Sequence, residues 1–236
     1  MSSLTDALHI LKNGGGVQIF DCNNREGETD LVYAAEYITS EKIFELRSQA
    51  GGLICLAFPF NAARLLGLPF MVDILKEAAV RFPGLHRIVS TKTLYGDRPA
   101  FSITINHRKT YTGITDADRV LTIVEFAKLV REALDKNASR SMLRKRLWEN
   151  FVSPGHLHLL IAEENFFTER RGHTELSLAL AEMAGITPAM VICEMLDGQS
   201  GKALDREKAW KRAREYGMPF LDGEEILNAY KDFKGG

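Results

Sequence analysis

Apolar positions along the chain switch repeatedly between helical and strand spacing. Leu4, Leu8 and Leu11 share one helix face, with Ser2, Ser3 or Thr5 available as a cap and Gly14, Gly15 and Gly16 as the stop. Residues 17–20 read as a strand, followed by a polar break at 21–30 and an apolar stretch at 31–35. Thr39 or Ser40 opens a second helix that runs to Gln49 and stops at Gly51 and Gly52. Residues 53–58 are short, apolar and closed by Pro59, which predicts a buried strand. Helical character follows at 61–67 and 74–82, then a long loop at 83–99 with two prolines and two glycines. Residues 101–105 alternate with period two, as in a half-buried strand.

Thr115 with Asp118 three residues later resembles a capping box, and opens a helix running to about Leu134. Residues 135–152 are polar and basic, the one candidate linker, but strand character returns at 157–161 and no domain boundary is placed there. Gly172, His173 and Thr174 open a helix with Leu176, Leu180 and Met183 on one stripe and Gly185 past its end. A strand at 190–195, a charged amphipathic helix at 205–216 stopped by Gly217, and a last helix at 223–233 complete the pattern. Interleaved strands and helices without a repeat predict a single α/β (α+β) domain over residues 1–236, a mixed sheet flanked by helices.

Composition narrows the class. Hydrophobic residues make up 45% of 236, enough for one core. Thirty basic against thirty-one acidic residues leave a net charge of −1, so no global field draws nucleic acid or anionic lipid. No apolar run reaches the roughly 20 residues of a membrane helix, and the start lacks the basic and apolar segments of a signal peptide. Cys22, Cys55 and Cys193 are odd in number and far apart, which fits a reducing cytoplasm better than a disulfide framework.

Two stretches carry chemistry. Arg25-Glu26-Gly27-Glu28-Thr29-Asp30 follows a strand, and in an extended backbone its three carboxylates point the same way. Like charges on one face call for a cation between them, and Mg²⁺ takes one or two carboxylates with water and substrate oxygens. An acidic surface loop would show the same residues. Thr168-Glu169-Arg170-Arg171-Gly172-His173-Thr174-Glu175 brings arginines, glycine and a hydroxyl to a helix N-terminus, where free N–H groups favour an anion. His173 there is a candidate metal ligand; an ordinary capped helix with a solvated arginine pair is the other reading. Among lesser features, His156 stands at the mouth of a strand and Glu194 lies inside an apolar run, where burial raises a carboxyl toward acid/base use. Cys55 reads as a small core residue, and Thr110-Tyr111-Thr112-Gly113 as a turn compatible with phosphate oxygens. Taken together, these residues suggest a polyhydroxylated phosphate ester bound to a divalent metal.

At these positions the chain resembles the 3,4-dihydroxy-2-butanone 4-phosphate synthases. The resemblance runs from about Leu4 to Tyr230 through Asn24-Arg-Glu-Gly-Glu-Thr-Asp30, Ala50-Gly-Gly-Leu-Ile-Cys55, Thr112-Gly-Ile-Thr-Asp-Ala-Asp-Arg119, Pro154-Gly-His156, Arg171-Gly-His-Thr-Glu175 and Cys193-Glu194. Phe70-Met-Val-Asp73 and Phe101-Ser-Ile-Thr-Ile-Asn-His107 are closer to the archaeal branch, and a monofunctional form is expected. Ser153 and the segment before Phe101 depart from the bacterial pattern, and the 83–99 loop is either a lid or an insertion, the lid being favoured.

The resemblance implies a lyase of riboflavin biosynthesis that turns D-ribulose 5-phosphate into L-3,4-dihydroxy-2-butanone 4-phosphate and formate. It implies Mg²⁺ or Mn²⁺, two ions per site, and a cytoplasmic homodimer with shared active sites. Glu26 and His173 would hold the metal; Arg25, Glu26 and Asp30 would face the sugar; Arg170, Arg171, Gly172, His173 and Thr174, with Thr112, would hold the phosphate. His156 and Glu194 match catalytic positions, Glu194 also touching substrate, while Glu28 and Cys55 line the pocket with Asp30. General-base work falls to Asp30, Glu28 or Glu194 and later proton handling to His156. Other readings are a metal enzyme for another ketose phosphate, or an RNA- or nucleotide-binding protein of similar fold using the basic stretch from Arg140 to Trp148. The balanced charge and the absence of a nucleic-acid motif weigh against the last.

Overall fold

Every side chain of strand β2 (Thr29–Ala34) is buried, because the strand is covered on both edges and both faces. In the computed structural model, which describes residues 4–235, β2 lies between β1 (Val17–Phe20) and β6 (Met190–Glu194), antiparallel to each. Beyond β6 follow β3 (Cys55–Phe58), β5 (Phe151–Ile161) and β4 (Phe101–His107). A short hairpin of β7 (Leu196–Asp197) and β8 (Lys202–Ala203) stands apart, and β9 (Phe220–Asp222) closes the sheet beside β1. The pairs β3–β5 and β1–β9 are parallel and the rest antiparallel, a mixed sheet as the sequence predicts.

Strand parity divides the core in two. Leu31, Tyr33, Leu56, Phe58, Val191 and Cys193 face one helical layer. It is built from α2 (Ser40–Gln49), α3 (Phe60–Leu66), α4 (Met71–Ala79), α5 (Asp116–Ala133) and α6 (Arg140–Asn150). Val32, Ala34, Cys55, Ala57, Met190 and Ile192 face the other. That layer holds α1 (Leu4–Lys12), the single turn α7 (Phe166–Glu169), α8 (His173–Ala184) and, after α9 (Arg206–Glu215) on the first face, α10 (Gly223–Gly235). A fully buried Leu or Phe contributes roughly 1.5–3 kcal/mol to such a core.

Local signals placed most boundaries within a few residues. Thr39 accepts from Lys42 N–H at 3.4 Å, Thr115 from Asp118 N–H at 3.2 Å, and Asp205 from Glu207 N–H at 2.9 Å. Of the expected caps for α1, Ser2 and Ser3 lie outside the described residues, and Thr5 is inside the helix. Three differences have tertiary causes. β2 begins at Thr29, so Asp30 is a strand residue and not part of the polar break. The supposed linker contains α6, whose buried residues Leu143 and Leu147 pack against the core while the rest of its surface is polar. β5 starts at Phe151, ahead of the expected 157, because Phe151 and Val152 pair with His107 and Asn106 of β4 before the register shifts and resumes at Leu157.

Candidate active site

Parity also decides which chemistry meets α8. Asp30 shares a face with Val32, Glu194 with Ile192, and Cys55 with Ala57, all turned toward α8. Asp30 and Glu194 are direct partners across β2 and β6.

The β1–β2 connection brings the remaining groups. It is wrapped around Asp21 and not extended. The Asp21 carboxylate accepts Glu26 N–H at 3.0 Å and Glu28 N–H at 3.1 Å, with Gly27 at φ +67° between them. This turn aims the Glu26 side chain and the Glu28 carbonyl at His173, the first residue of α8. His173 Nδ1 lies 3.2 Å from Glu26 Oε2 and 3.6 Å from Asp30 Oδ1, and its Nε2 lies 3.2 Å from Glu28 O. Arg25 reaches Glu26 Oε1 at 2.9 Å and Asp21 at 3.3 Å. A Cβ on Gly172 would sit 2.5 Å from Arg25 Nη2, so the glycine before His173 is what lets the guanidinium lie there.

The fields in this pocket oppose one another. Burial pushes the Asp30 carboxyl up to about 8 despite the pull of His173. Burial would raise Glu26 as well, but the hydrogen bond and charge of His173, with Arg25 and Tyr95, hold it at about 2. Burial disfavours the His173 imidazolium, yet Asp30 and Glu26 raise it to about 10. Glu28 is raised by burial and then by Glu26 and Glu194. Glu194 is raised by burial, with Glu26 adding. Burial, then Glu194 and Asp30, pushes the Cys55 thiol well above its ordinary range.

This donor set fits a hard divalent cation. Asp21, Glu26 and His173 each offer a ligand atom within 4.8 Å of the others. Asp30 Oδ1 is buried with no hydrogen-bond partner among the described residues, an oxygen left for something that brings positive charge or a proton. Asp21 was legible only as the acid that ends an apolar strand; its role depends on a loop that closes back on it.

The second expected stretch divides. Gly172, His173 and Thr174 form the start of α8 as anticipated. The Arg170 guanidinium, expected at the phosphate, makes its hydrogen bonds within the fold and also lines the cavity beside Arg25 and Arg171. Its Nε and Nη2 lie 2.7–3.0 Å from the Glu175 carboxylate, Nη1 donates to Arg98 O at 3.2 Å, and Nη2 donates to Ile161 O at 3.0 Å. A guanidinium this buried is satisfied inside the fold because water cannot reach it. Arg171, whose Nε donates to Phe167 O at 3.1 Å, lines a cavity of about 290 Å³ with Arg25, Asn24 and Tyr95.

Thr112 and His156 form a separate, exposed cluster between β4 and β5. His156 N–H donates to Asn106 Oδ1 at 2.8 Å, and the Asn106 amide donates to Thr112 O at 3.3 Å. His156 lies just before the paired part of the β3–β5 ladder, which begins at His158 opposite Cys55, and within the irregularity where the β4–β5 register shifts. Tyr95 and Asp97, which touch Glu26 and Arg25, carried no motif in the sequence, and Asn106, which orients His156, stood in the quoted 101–107 segment without a role.

Residues 5–229 match the family described as 3,4-dihydroxy-2-butanone 4-phosphate synthase. The protein of that name from Methanothermobacter thermautotrophicus is 45% identical over 231 residues, covering 98% of this chain and 97% of the relative. The one from Archaeoglobus fulgidus is 44% identical over 232 residues, covering 97% and 94%. A crystal structure of 3,4-dihydroxy-2-butanone 4-phosphate synthase in complex with two magnesium ions superposes with a TM-score of 0.76 at 26% identity, over 100% of this chain and 99% of that one. Fold and sequence thus agree on an enzyme of riboflavin biosynthesis. The chain belongs to the 3,4-dihydroxy-2-butanone 4-phosphate synthase family, lyases that convert D-ribulose 5-phosphate to L-3,4-dihydroxy-2-butanone 4-phosphate and formate.

Proposed function

We propose that this reaction takes place between the β1–β2 loop and the start of α8, in one catalytic domain spanning residues 1–236. The observation that carries the assignment is the geometry of a single pocket: His173 Nδ1 lies 3.2 Å from Glu26 Oε2 and 3.6 Å from Asp30 Oδ1. Asp30 pairs with Glu194 across the strands, and the surroundings lower Glu26 while burial raises Asp30. Environments that push neighbouring acids apart separate an electrostatic or ligating role from proton transfer. Glu26 and His173, with Asp21 beside them, are the residues that would hold Mg²⁺ or Mn²⁺, two ions in the full site. A divalent ion supplies Lewis-acid polarisation of adjacent sugar oxygens.

The chain's own groups account for the proton traffic. Enediol formation needs a base for the C3 proton, a role that falls to Asp30, Glu28 or Glu194, whose carboxyls lie near one another. Loss of the C1 hydroxyl, the skeletal shift and departure of formate require further transfers, in which Glu194 and His156 take part. Cys55 lines the apolar floor. The N–H groups of His173 and Thr174, at the positive end of α8 beside Gly172, with Arg171 and Thr112, would take the phosphate. Arg170 contributes by bracing that turn through Glu175.

The exposure of Thr112 and His156, joined to one another through Asn106, supports a homodimer in which these two residues complete the partner's pocket. Exposed Tyr111 and Ile114, at 98% and 45%, flank Thr112 and suit a subunit contact. Cys22, Cys55 and Cys193 are free thiols, in keeping with a cytoplasmic enzyme, and no helix among the described residues is long and apolar enough to cross a membrane.

Formate release from D-ribulose 5-phosphate tests the reading, measured with Mg²⁺, after chelation, and in Glu26→Gln. Metal-dependent formate accompanied by the four-carbon phosphate, and lost in Glu26→Gln, is expected. A folded, metal-loaded protein that releases none overturns it, and faster turnover of a different pentose phosphate would reassign the substrate.

A further inference from the structure

The loop at 83–99 is tied to the β1–β2 connection at a single tight turn. Thr93 N–H donates to Asp97 O at 2.7 Å and Asp97 N–H to Thr93 Oγ1 at 3.2 Å, with Gly96 at φ +93°. Just after the turn, the Arg98 guanidinium pairs with Glu163 at 2.9 and 2.7 Å and lies 3.6 Å over the Phe70 ring. The turn is therefore anchored at its base, and its tip presents Tyr95 and Asp97. Tyr95 O–H donates to Glu26 Oε1 at 2.5 Å, while the Tyr95 ring carries the Arg25 guanidinium at 4.4 Å. Asp97 Oδ2 accepts from Arg25 Nε at 3.1 Å. The two oxygens of Glu26 thus have separate partners: Oε1 meets Tyr95 and Arg25, and Oε2 faces His173.

We propose that Tyr95 is a positioning residue for Glu26, its phenol holding Oε1 so that Oε2 is presented beside His173 to a divalent cation. The inference rests on the reading that Glu26 and His173 hold the ion. A glutamate on a loop has several staggered rotamers open to it, and one that must be ordered on metal entry binds more weakly. Hydrogen bonds to ligating carboxylates remove that cost, and losing one typically weakens metal binding 10- to 100-fold. Asp97 differs from Tyr95 in the one respect that matters, since it touches Arg25 and not Glu26.

Mn²⁺ binding to the substrate-free, full-length protein separates the possibilities, read as free Mn²⁺ by electron paramagnetic resonance. The series is wild type, Tyr95→Phe, Asp97→Asn and Glu26→Gln, with metal-free melting temperatures alongside. Tyr95→Phe keeps the ring under Arg25 and is expected to weaken Mn²⁺ binding roughly tenfold or more, at an unchanged melting temperature, with a much smaller effect in Asp97→Asn. Unchanged or tighter binding in Tyr95→Phe overturns the proposal, the latter because the phenol would then compete with the metal. Equal losses in Tyr95→Phe and Asp97→Asn overturn it too, since a tether that only closes the loop acts through either contact. Wild-type binding in Glu26→Gln refutes the metal site itself, an outcome distinct from failure of the Tyr95 role.

Discussion

Replacing Glu175 by glutamine puts a number on the brace behind α8. The Arg170 and Glu175 side chains are 3% and 0% exposed, with nitrogen–oxygen contacts down to 2.7 Å. Glu175 Oε1 also accepts Glu163 N–H at 3.0 Å and Oε2 accepts Gly172 N–H at 3.3 Å. Glutamine keeps the shape, but whichever oxygen becomes the amide then points a donor at donors, and buried Arg170 loses the carboxylate it is hydrogen-bonded to. Breaking one side of such a pair costs roughly 3–5 kcal/mol. For a chain of this length each kcal/mol moves the melting temperature by roughly 2–4 °C, so a drop of roughly 6–20 °C is expected. The assay is calorimetric melting with chelator present, beside steady-state formate release. Removing both charges in Arg170→Met/Glu175→Met should recover only part of the loss, because the buried pair is gone but the Glu163 and Gly172 N–H groups and the Arg98 and Ile161 carbonyls lose their partners. A Glu175→Gln protein melting within roughly 2 °C of wild type, less than 1 kcal/mol on that scale, refutes the reasoning. So does an Arg170→Met variant whose KM rises with no change in melting, which would return Arg170 to the phosphate.

Two further outcomes follow from the same geometry. Gly155→Ala places a Cβ 2.0 Å from the Ile105 carbonyl carbon and 2.3 Å from Asn106 N, so β4 and β5 must part where Asn106 orients His156. A loss of roughly 1–3 kcal/mol in chemical denaturation and a fall in kcat are expected, and unchanged stability would show the crossing to be looser than described. The metal-free protein should lose stability as pH rises. His173 is raised from 6.5 to about 10, so its contribution is complete below 6.5 and disappears as pH climbs through 10. Asp30, raised from 3.8 to about 8, acts in the same direction because the folded state keeps a proton the unfolded chain has released. Melting in chelator from pH 5 to 10 should fall steadily, flatten at the alkaline end in His173→Asn, and flatten with saturating Mg²⁺, which takes the proton's place. A flat profile in chelator contradicts the assigned shifts.

Much of this protein was legible locally. Thr39, Thr115 and Asp205 cap helices as their spacing indicates, and Gly185 ends α8 in the left-handed conformation. The residues of the Arg25–Asp30 and Arg171–Glu175 stretches do meet, at the end of the sheet where β2 leads to the start of α8. Such features depend on neighbours a few positions away, and periodicity records them directly. Whether Asp30 is solvated or buried, whether Arg170 faces a ligand or Glu175, and where Tyr95 rests are decided by segments distant in the chain. Asp30 is buried because β1 and β6 flank β2, and Arg170 is turned inward because Glu175 and the Ile161 carbonyl await it. Tyr95 meets Glu26 across 69 positions through a turn anchored by Arg98. The sequence by itself determined the elements, their caps and the inventory of reactive groups. Only the tertiary structure decided which of those groups share a dielectric environment, because burial and pairing arise from strand register and helix packing that no short window of residues contains.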